Sequence, residues 1–444
     1  MYARSISNVA LMCGLSIALL AAPVLATPRI QTWQAASGAK VLFVENHDLP
    51  MLDVAVNFDA GSRYDPPEKA GLAGMTHGLL NHGAEGLSED DIARKLADIG
   101  AQMGGGADPD RAFMSLRTLS SEAEREQALE IMARVLQQPL FADDVLAREK
   151  TRTIEGLKEA ATKPEHIAGK AFSKAVYGEH PYGATVEVET VQVIERSDIV
   201  NFYQAHYAAS SAVIAIMGDV TRAQAEAIAQ RLSAGLPQGV AAPALPQVTT
   251  RIAPSEQRIA HPATQSHIFI GAPGMARTDP DYFALYVGNY SLGGGGFVSR
   301  LMNEVREKRG LAYSVYSYFM PMQMPGAFQI GLQTKKDQAD VALKIARDTL
   351  REFIAKGPTE KELKAAKQNI IGGFPLRIDS NKKILDYLSV IGFYGLPLTY
   401  LDDFTNNVQK VTTAQIREAF KRHIDPDAMA TVIVGAPETE GAGK

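Results

Sequence analysis

The feature of this sequence that most constrains its fold is an internal repeat with an offset of 217 positions. In each copy an amphipathic helical pattern leads into a short apolar run that ends at Gly. The matching residues are Ile194, Ile199, Tyr203, His206 and Gly218 in the first copy and Val411, Ile416, Phe420, His423 and Gly435 in the second. Chance similarity between two helix–strand units is the alternative, but five matches at one offset favour a duplication.

Each copy predicts strands, then helices, then a closing strand. Strand-like alternation opens the copies at Leu52–Phe58 and His267–Ile270, and long helical patterns follow at Glu122–Leu136 and Asp340–Ile354. We therefore predict an α+β fold made of two homologous domains, each a mainly antiparallel sheet covered by helices.

The boundary between the two copies falls in a segment that is rich in Pro. Residues Gly235–Pro246 show no periodicity and contain several Pro and Ala residues. We place the first domain at residues 27–236, a linker at 237–249 and the second domain at 250–444.

The first 26 residues have the pattern of an export signal. Arg4 is their only charged residue, and an apolar stretch runs from Val9 to Leu25. We predict a cleaved signal peptide at residues 1–26. A membrane anchor is the alternative, but the most apolar part is shorter than the ~20 residues that a span needs. A lipid attached to Cys13 is disfavoured by the large Met12 before it.

Cysteine content and charge exclude several functions for the mature chain. Cys13 is the only cysteine, so no disulfide, thiolate metal ligand or cysteine nucleophile remains after cleavage. The net charge of −5 provides no basic field for nucleic acid or anionic lipid. No later segment is apolar enough to predict a membrane span.

Arg306 and Tyr313 lie seven positions apart in the run Asn303–Val315, and Gly-Leu-Ala directly precedes the Tyr. An Arg side chain presents a fork of donors to carbonyl oxygens, and a Tyr hydroxyl donates to developing negative charge. The spacing alone carries little weight, since a solvated Arg and a packed Tyr would show it equally well.

With the repeat and the leader, this run makes the chain resemble the pitrilysin-like (M16) zinc peptidases, especially their short bacterial members with about two such domains per chain. The resemblance covers nearly the whole mature chain. It is strongest at Gly61–Asp65, Ala70–Ala73, His180–Gly183, Leu292–Phe297 and Ser299–Ser317. It implies a periplasmic location for the exported chain.

The resemblance also implies that a metal site is missing. Active members carry His-x-x-Glu-His after Gly-Leu-Ala, and a second Glu ligand follows roughly 75–80 residues onward. Here Gly74 and Gly78 occupy both His positions, His77 occupies the Glu position, and Gly156 aligns with the downstream ligand. Because glycine offers no donor atom, these degenerate positions predict that this chain holds no metal.

Neighbouring residues do not predict a relocated site. His77 and His82 are five positions apart, which on a helix is about 500° of rotation and places them on different faces. Glu155 and Glu159 flank Gly156, but an offset of one position turns a side chain about 100° away.

In the family, the Arg and Tyr of the second half act on substrate bound at the zinc-bearing half. The resemblance therefore implies that Arg306 and Tyr313 are catalytic residues acting in trans. We predict a catalytically incomplete subunit of a periplasmic heterodimeric zinc metallopeptidase. Its partner would be a homologous M16 subunit bearing His-x-x-Glu-His and the zinc, and its substrates unfolded peptides bound along a sheet edge. The alternative is a non-enzymatic peptide-binding or scaffold protein of the same fold.

Overall fold

A computed structural model describes residues 29–240 and 243–435 of the chain. The predicted signal peptide, residues 1–26, lies outside the described residues. The described ranges contain eleven strands and fourteen α-helices, and short 3₁₀ or π-helical turns connect several of them. Within these ranges no helix is both long enough and apolar enough to cross a membrane.

The strands form two sheets, one in each copy of the repeat. The first sheet contains β1 (Gln31–Gln34), β2 (Lys40–Glu45), β3 (Met51–Phe58), β4 (Gln102–Ala107), β5 (Ala112–Leu119) and β6 (Val213–Gly218). The second contains β7 (Ser255–Ile259), β8 (Gln265–Met275), β9 (Ala312–Phe319), β10 (Gly326–Lys335) and β11 (Ala430–Val434). The strand orders are β1-β2-β6-β3-β5-β4 and β7-β11-β8-β10-β9. Each sheet has one parallel pair, β2 with β6 and β7 with β11, so both sheets are mainly antiparallel.

The helices cover the two sheets. The first copy contributes α1 (Leu72–Leu79), α2 (Glu89–Asp98), α3 (Glu122–Gln137), α4 (Asp143–Ala160), α5 (Pro164–Tyr177), α6 (Val188–Gln192), α7 (Arg196–His206) and α8 (Arg222–Ser233). The second contributes α9 (Tyr282–Asn289), α10 (Ala339–Lys356), α11 (Glu360–Gly373), α12 (Asn381–Phe393), α13 (Tyr400–Lys410) and α14 (Thr413–His423). Ser or Thr side chains cap several helix N-termini by accepting a backbone N–H, as at Ser88, Thr221, Thr359 and Thr412.

The predicted fold class and duplication are confirmed. Helices α7 and α14 begin and end at residues 217 positions apart, as do the starts of α5 and α12. The predicted strands at Leu52–Phe58 and His267–Ile270 lie within β3 and β8. The predicted helices at Glu122–Leu136 and Asp340–Ile354 lie within α3 and α10.

The two copies exchange helices across their interface. Helix α5 of the first copy packs on β8 and β11 of the second sheet, and α12 of the second copy packs on β2, β3 and β6 of the first sheet. Ala168, Phe172 and Val176 of α5 join the buried cluster of the second sheet. A Cβ added at Gly392 of α12 would lie 2.4 Å from Val213 Cγ1, so glycine permits this close approach. Each sheet is thus covered in part by a helix of the other copy.

A buried carboxylate also joins the copies. Asp110 is fully buried and accepts hydrogen bonds from Arg63 Nη1 at 2.8 Å and from the Tyr182 hydroxyl, both in the first copy. From the second copy it accepts the Gln323 N–H at 2.8 Å and the Tyr394 hydroxyl at 2.9 Å. Arg63 and Tyr182 belong to the two stretches Gly61–Asp65 and His180–Gly183 that carry the family resemblance. The structure gives those stretches a role in joining the halves.

Candidate functional site

Helix α1 carries three of the four positions that the sequence predicts to be degenerate metal positions, and its N-terminus is fixed by a side chain. Gly71 precedes the helix with φ of 104°, a left-handed conformation that favours glycine. The Asp65 carboxylate accepts the N–H groups of Gly71 and Ala73, both at 2.8 Å. Burial raises the pKa of Asp65 to about 6. The buried face of α1 consists of Leu72, Ala73, Met75, Thr76 and Leu79.

The glycines at the ligand positions face open space. Among the described residues, no neighbouring heavy atom lies within 4 Å of a Cβ added at Gly74 or Gly78 of α1, or at Gly156 of α4. Both helices therefore have room for a side chain at the positions predicted to correspond to the ligands of active members. The residues present do not fit a zinc ion, because the room contains no donor atom at these three positions.

The open space predicts that side chains will be tolerated there. Gly74→Ala, Gly78→Ala and Gly156→Ala should each raise the free energy of unfolding by ~0.5–1 kcal/mol, because Ala is the better helix former and meets no neighbour. Urea unfolding of the isolated chain measures this. Gly105→Ala in β4 is the matched control, since its Cβ would lie 2.1 Å from the Phe113 carbonyl oxygen. That control should lose ~1–3 kcal/mol, and destabilisation by all three helix variants would contradict the open space at these positions.

His77, at the position of the catalytic Glu, packs against the edge strand β4. A Cβ added at Gly105 would lie 2.7 Å from His77 Cε1, so the ring lies beside a strand that lacks a side chain there. In the described structure His77 Nδ1 is buried without a hydrogen-bond partner. Burial lowers the pKa of His77 to about 4, so the imidazole is neutral at pH 7. Gly104–Gly106 were not among the predicted site residues, although three consecutive glycines in a strand indicate a close approach.

His82 lies in a separate ion-pair network. Its Nδ1 is 2.8 Å from Glu89 Oε1 and 3.1 Å from Arg148 Nη2, while its Nε2 is 3.9 Å from Glu149 Oε1. Glu159 is exposed and pairs with Lys163 at 2.7 Å, and Glu155 is also exposed. His82 and Glu159 are thus held by other partners, and within the described residues these side chains form no group with metal-ligand spacing.

One group of side chains in the described residues has metal-ligand spacing, and it lies elsewhere. Asp279, Asp281 and His423 offer ligand atoms within 4.8 Å of one another in the second copy. Arg422 already binds both oxygens of Asp281 at 2.9 and 2.7 Å, and His423 Nε2 is 3.0 Å from the same carboxylate. The group is satisfied as an ion pair.

Arg306 and Tyr313 are brought together by a tight turn. Arg306 lies in the π-helical segment Met302–Glu307, and Tyr313 lies on the edge strand β9. The Gly310 N–H donates to the Arg306 carbonyl at 2.7 Å, and Gly310 has φ of 62°. As a result the guanidinium carbon of Arg306 is 5.2 Å from the centroid of the Tyr313 ring and 4.9 Å from that of Phe297.

Both aromatic rings of this group are open to solvent. Tyr313 is 80% exposed and Phe297 is 67% exposed, which is unusual for large rings. Cation–π contacts at exposed positions contribute about 0.5–1 kcal/mol, enough to orient Arg306 without burying it. The pair therefore presents a guanidinium fork and a phenol hydroxyl on one exposed surface.

The glycine run Gly293–Gly296 precedes this group in the chain, and some of its positions have no room for a side chain. A Cβ added at Gly293 would lie 2.3 Å from Ser317 Oγ, and one at Gly295 would lie 2.6 Å from the Tyr290 carbonyl oxygen. The backbone of the run thus packs closely on β9. A cavity of about 450 Å³ lies beside it, lined in part by Ser314 and Arg377.

Comparison with known proteins decides the family. Residues 40–189 match the family model described as "Insulinase (Peptidase family M16)", and residues 194–370 match the one described as "Peptidase M16 inactive domain". The crystal structure of a peptidase M16 inactive domain from Pseudomonas fluorescens is 40% identical, with a TM-score of 0.89. The similarity covers 93% of this chain and 99% of that one. The chain belongs to peptidase family M16.

Relatives within M16 carry names of two kinds. "Non-peptidase homolog YmxG" of Helicobacter pylori is 26% identical over 418 residues, which is 91% of this chain and 94% of the relative. "Uncharacterized zinc protease SCO5738" of Streptomyces coelicolor is 28% identical over 366 residues, 80% of this chain and 79% of the relative. The two kinds of relative are about equally identical to this chain, so activity has to be judged from the site residues.

Proposed function

We propose that this chain is the metal-free subunit of a periplasmic heterodimeric zinc metallopeptidase of family M16. Its partner is a homologous subunit that carries His-x-x-Glu-His and the zinc. Arg306 and Tyr313 act on peptide substrate bound at the partner's metal site. The observation that carries this proposal is a contrast between two places. Gly74, Gly78 and Gly156 offer open space and no ligand atom, whereas Arg306 is held beside the exposed ring of Tyr313.

The proposed roles follow from the donors that the pair presents. The Arg306 guanidinium offers a fork of N–H donors to the carbonyl oxygens of a peptide main chain. The Tyr313 hydroxyl donates a hydrogen bond to the negative charge that develops on the carbonyl oxygen under attack. Tyr313 is exposed and Arg306 is partly exposed on this chain, so a partner's substrate can reach them.

Sheet edges supply the means of holding an unfolded peptide. Strands β4 and β9 are each at the edge of their sheet, beside the degenerate metal positions and the Arg306–Tyr313 pair respectively. An extended peptide that adds to such an edge gains main-chain hydrogen bonds with little dependence on its sequence. This mode suits a subunit that handles unfolded peptides of varied sequence.

The proposal also includes the processing and division of the chain. Removal of residues 1–26 on export would deliver the protein to the periplasm. The first domain then comprises residues 27–236, and residues 237–249 link it to the second domain at 250–444. In support, the described part of the segment between α8 and β7 contains no helix or strand.

The direct test is to compare the isolated chain with the co-purified heterodimer. The isolated chain should contain no stoichiometric zinc and should not hydrolyse a fluorogenic unfolded peptide, because its three ligand positions are glycines. The heterodimer should contain one zinc per complex and hydrolyse the peptide. As a control, the partner's Glu→Gln variant within His-x-x-Glu-His should retain zinc and lose hydrolysis. Stoichiometric zinc in the isolated chain, lost in His77→Ala or His82→Ala, would contradict the proposal.

The second candidate is a non-enzymatic peptide-binding or scaffold protein of the M16 fold. The Helicobacter pylori relative named as a non-peptidase homolog favours it. In that case a complex with an active partner would not depend on Arg306 or Tyr313. The variants considered first in the Discussion distinguish the two candidates.

A further inference from the structure

Among the described residues, the second sheet has one strand fewer than the first. In the strand orders, β7, β11, β8, β10 and β9 correspond to β2, β6, β3, β5 and β4. In the first sheet β1 pairs with the outer edge of β2. In the described residues no strand pairs with the outer edge of β7. Accordingly Ser255, Glu256 and Gln257 of β7 are exposed, whereas Val41–Val44 of β2 are buried.

The hydrogen bonds at the ends of the β7–β11 pair show which backbone groups are free. The Ser255 N–H donates to the Met429 carbonyl at 3.2 Å, and the Gly435 N–H donates to the Ile259 carbonyl at 2.9 Å. Alternation along a strand therefore turns the N–H and C=O groups of Glu256 and Arg258 away from β11. Within the described ranges these groups form no backbone hydrogen bond with another segment.

A groove lies beside this free edge. Its volume is about 1010 Å³, and Gln257, the central residue of β7, forms part of its wall. The other walls come from the end of α4, from α5, from residues 178–190, and from Asp65 and Pro67. Apolar side chains contribute much of the lining, including Leu157, Ile167, Ala171, Ala175, Val186 and Val188.

The charged side chains of β7 are occupied on the side of the sheet away from the groove. Arg258 Nη2 is 2.6 Å from Asp340 Oδ1, and Arg347 Nη2 is 3.4 Å from Glu256 Oε2. Asp340 and Arg347 both belong to α10. Charges on an edge strand commonly block pairing, but these are directed to α10 and neutralised within the chain. The backbone edge itself stays accessible.

We propose that the free edge of β7 binds an extended peptide as a sixth strand, with apolar side chains at alternate positions beside the groove. The first copy provides the precedent, because β1 covers the corresponding edge of β2. Alternate side chains of an added strand point to one face, and the apolar lining selects large apolar groups there. This site is separate from Arg306 and Tyr313 and does not depend on a zinc-bearing partner.

The test measures binding of a fluorescein-labelled peptide with the sequence of residues 30–36, Ile-Gln-Thr-Trp-Gln-Ala-Ala. Fluorescence anisotropy with the full mature chain should show saturable binding. Glu256→Pro should abolish it, because the substitution removes an outward N–H without disturbing the bonds to β11. Glu256→Ala keeps that N–H and should bind as the parent does. Ala171→Trp, which fills the groove, should weaken binding at least tenfold.

Thermal unfolding verifies that each variant is folded. No saturable binding, or binding that survives both Glu256→Pro and Ala171→Trp, would overturn the proposal. Binding that survives both substitutions would place the peptide at another sheet edge, such as β4. A dimer in sedimentation experiments that Glu256→Pro dissociates would also overturn it, since the edge would then pair with a second copy of the chain.

Discussion

In the reconstituted heterodimer, Tyr313→Phe is expected to lower kcat by about 10²–10³, or about 3–4 kcal/mol of barrier. The substitution removes the hydroxyl of Tyr313, an exposed residue of β9 whose ring lies beside Arg306. Because the ring stays, folding, zinc content and partner affinity should match those of the parent. Steady-state hydrolysis of a fluorogenic peptide, with zinc measured on the same sample, gives the comparison.

Arg306→Ala should lower kcat/KM as well, because it also removes contacts with the substrate backbone. Arg309→Ala is the matched control, since Arg309 pairs with Glu304 at 2.8 Å and lies outside the aromatic contact. That control should change hydrolysis less than twofold. If Tyr313→Phe and Arg306→Ala complexes are both fully active, the shared-site proposal is wrong and the scaffold function is favoured.

The second large effect concerns stability. Asp110→Ala is expected to lower the free energy of unfolding by about 3–5 kcal/mol, because it leaves Arg63 and three other donors without their buried acceptor. Equilibrium urea unfolding of the mature chain measures the loss. Since two of the donors belong to the second copy, the two copies of the variant should also unfold less cooperatively.

A matched control for this prediction is Asp98→Ala. Asp98 lies 3.9 Å from Arg94, and both side chains are more than 60% exposed, so the change should stay below about 1 kcal/mol. Tyr394→Phe removes one donor to Asp110. Its loss in free energy of unfolding should lie between those of Asp98→Ala and Asp110→Ala. Equal stability of Asp110→Ala and the parent would show that the buried cluster does not join the copies.

Local patterns in the sequence predicted much of the fold. The helical period at Glu122–Leu136 predicted α3 to within one residue at its end. The prediction at Gly74, Gly78 and Gly156 needed no fold, because a residue without a side chain provides no ligand atom in any fold.

Features that depend on distant segments were not predictable in this way. The packing of His77 on Gly105 requires that α1 be placed on β4, and those segments are separated by a long stretch of chain. The local sequence does not distinguish Asp110 from an ordinary turn residue, because its partners Gln323 and Tyr394 are far away in the chain. The free edge of β7 is likewise visible only after the strands of both sheets are ordered.

The exchange of α5 and α12 has a consequence for how such a duplicated protein can arise. A chain with a single copy would expose the face of its sheet that the other copy's helix now covers. It would also expose the face of its own helix that now packs on the other sheet. Two identical single-copy chains could cover these surfaces reciprocally, as an isologous dimer does. The fused chain therefore has the architecture of an ancestral homodimer whose subunits became joined and then diverged.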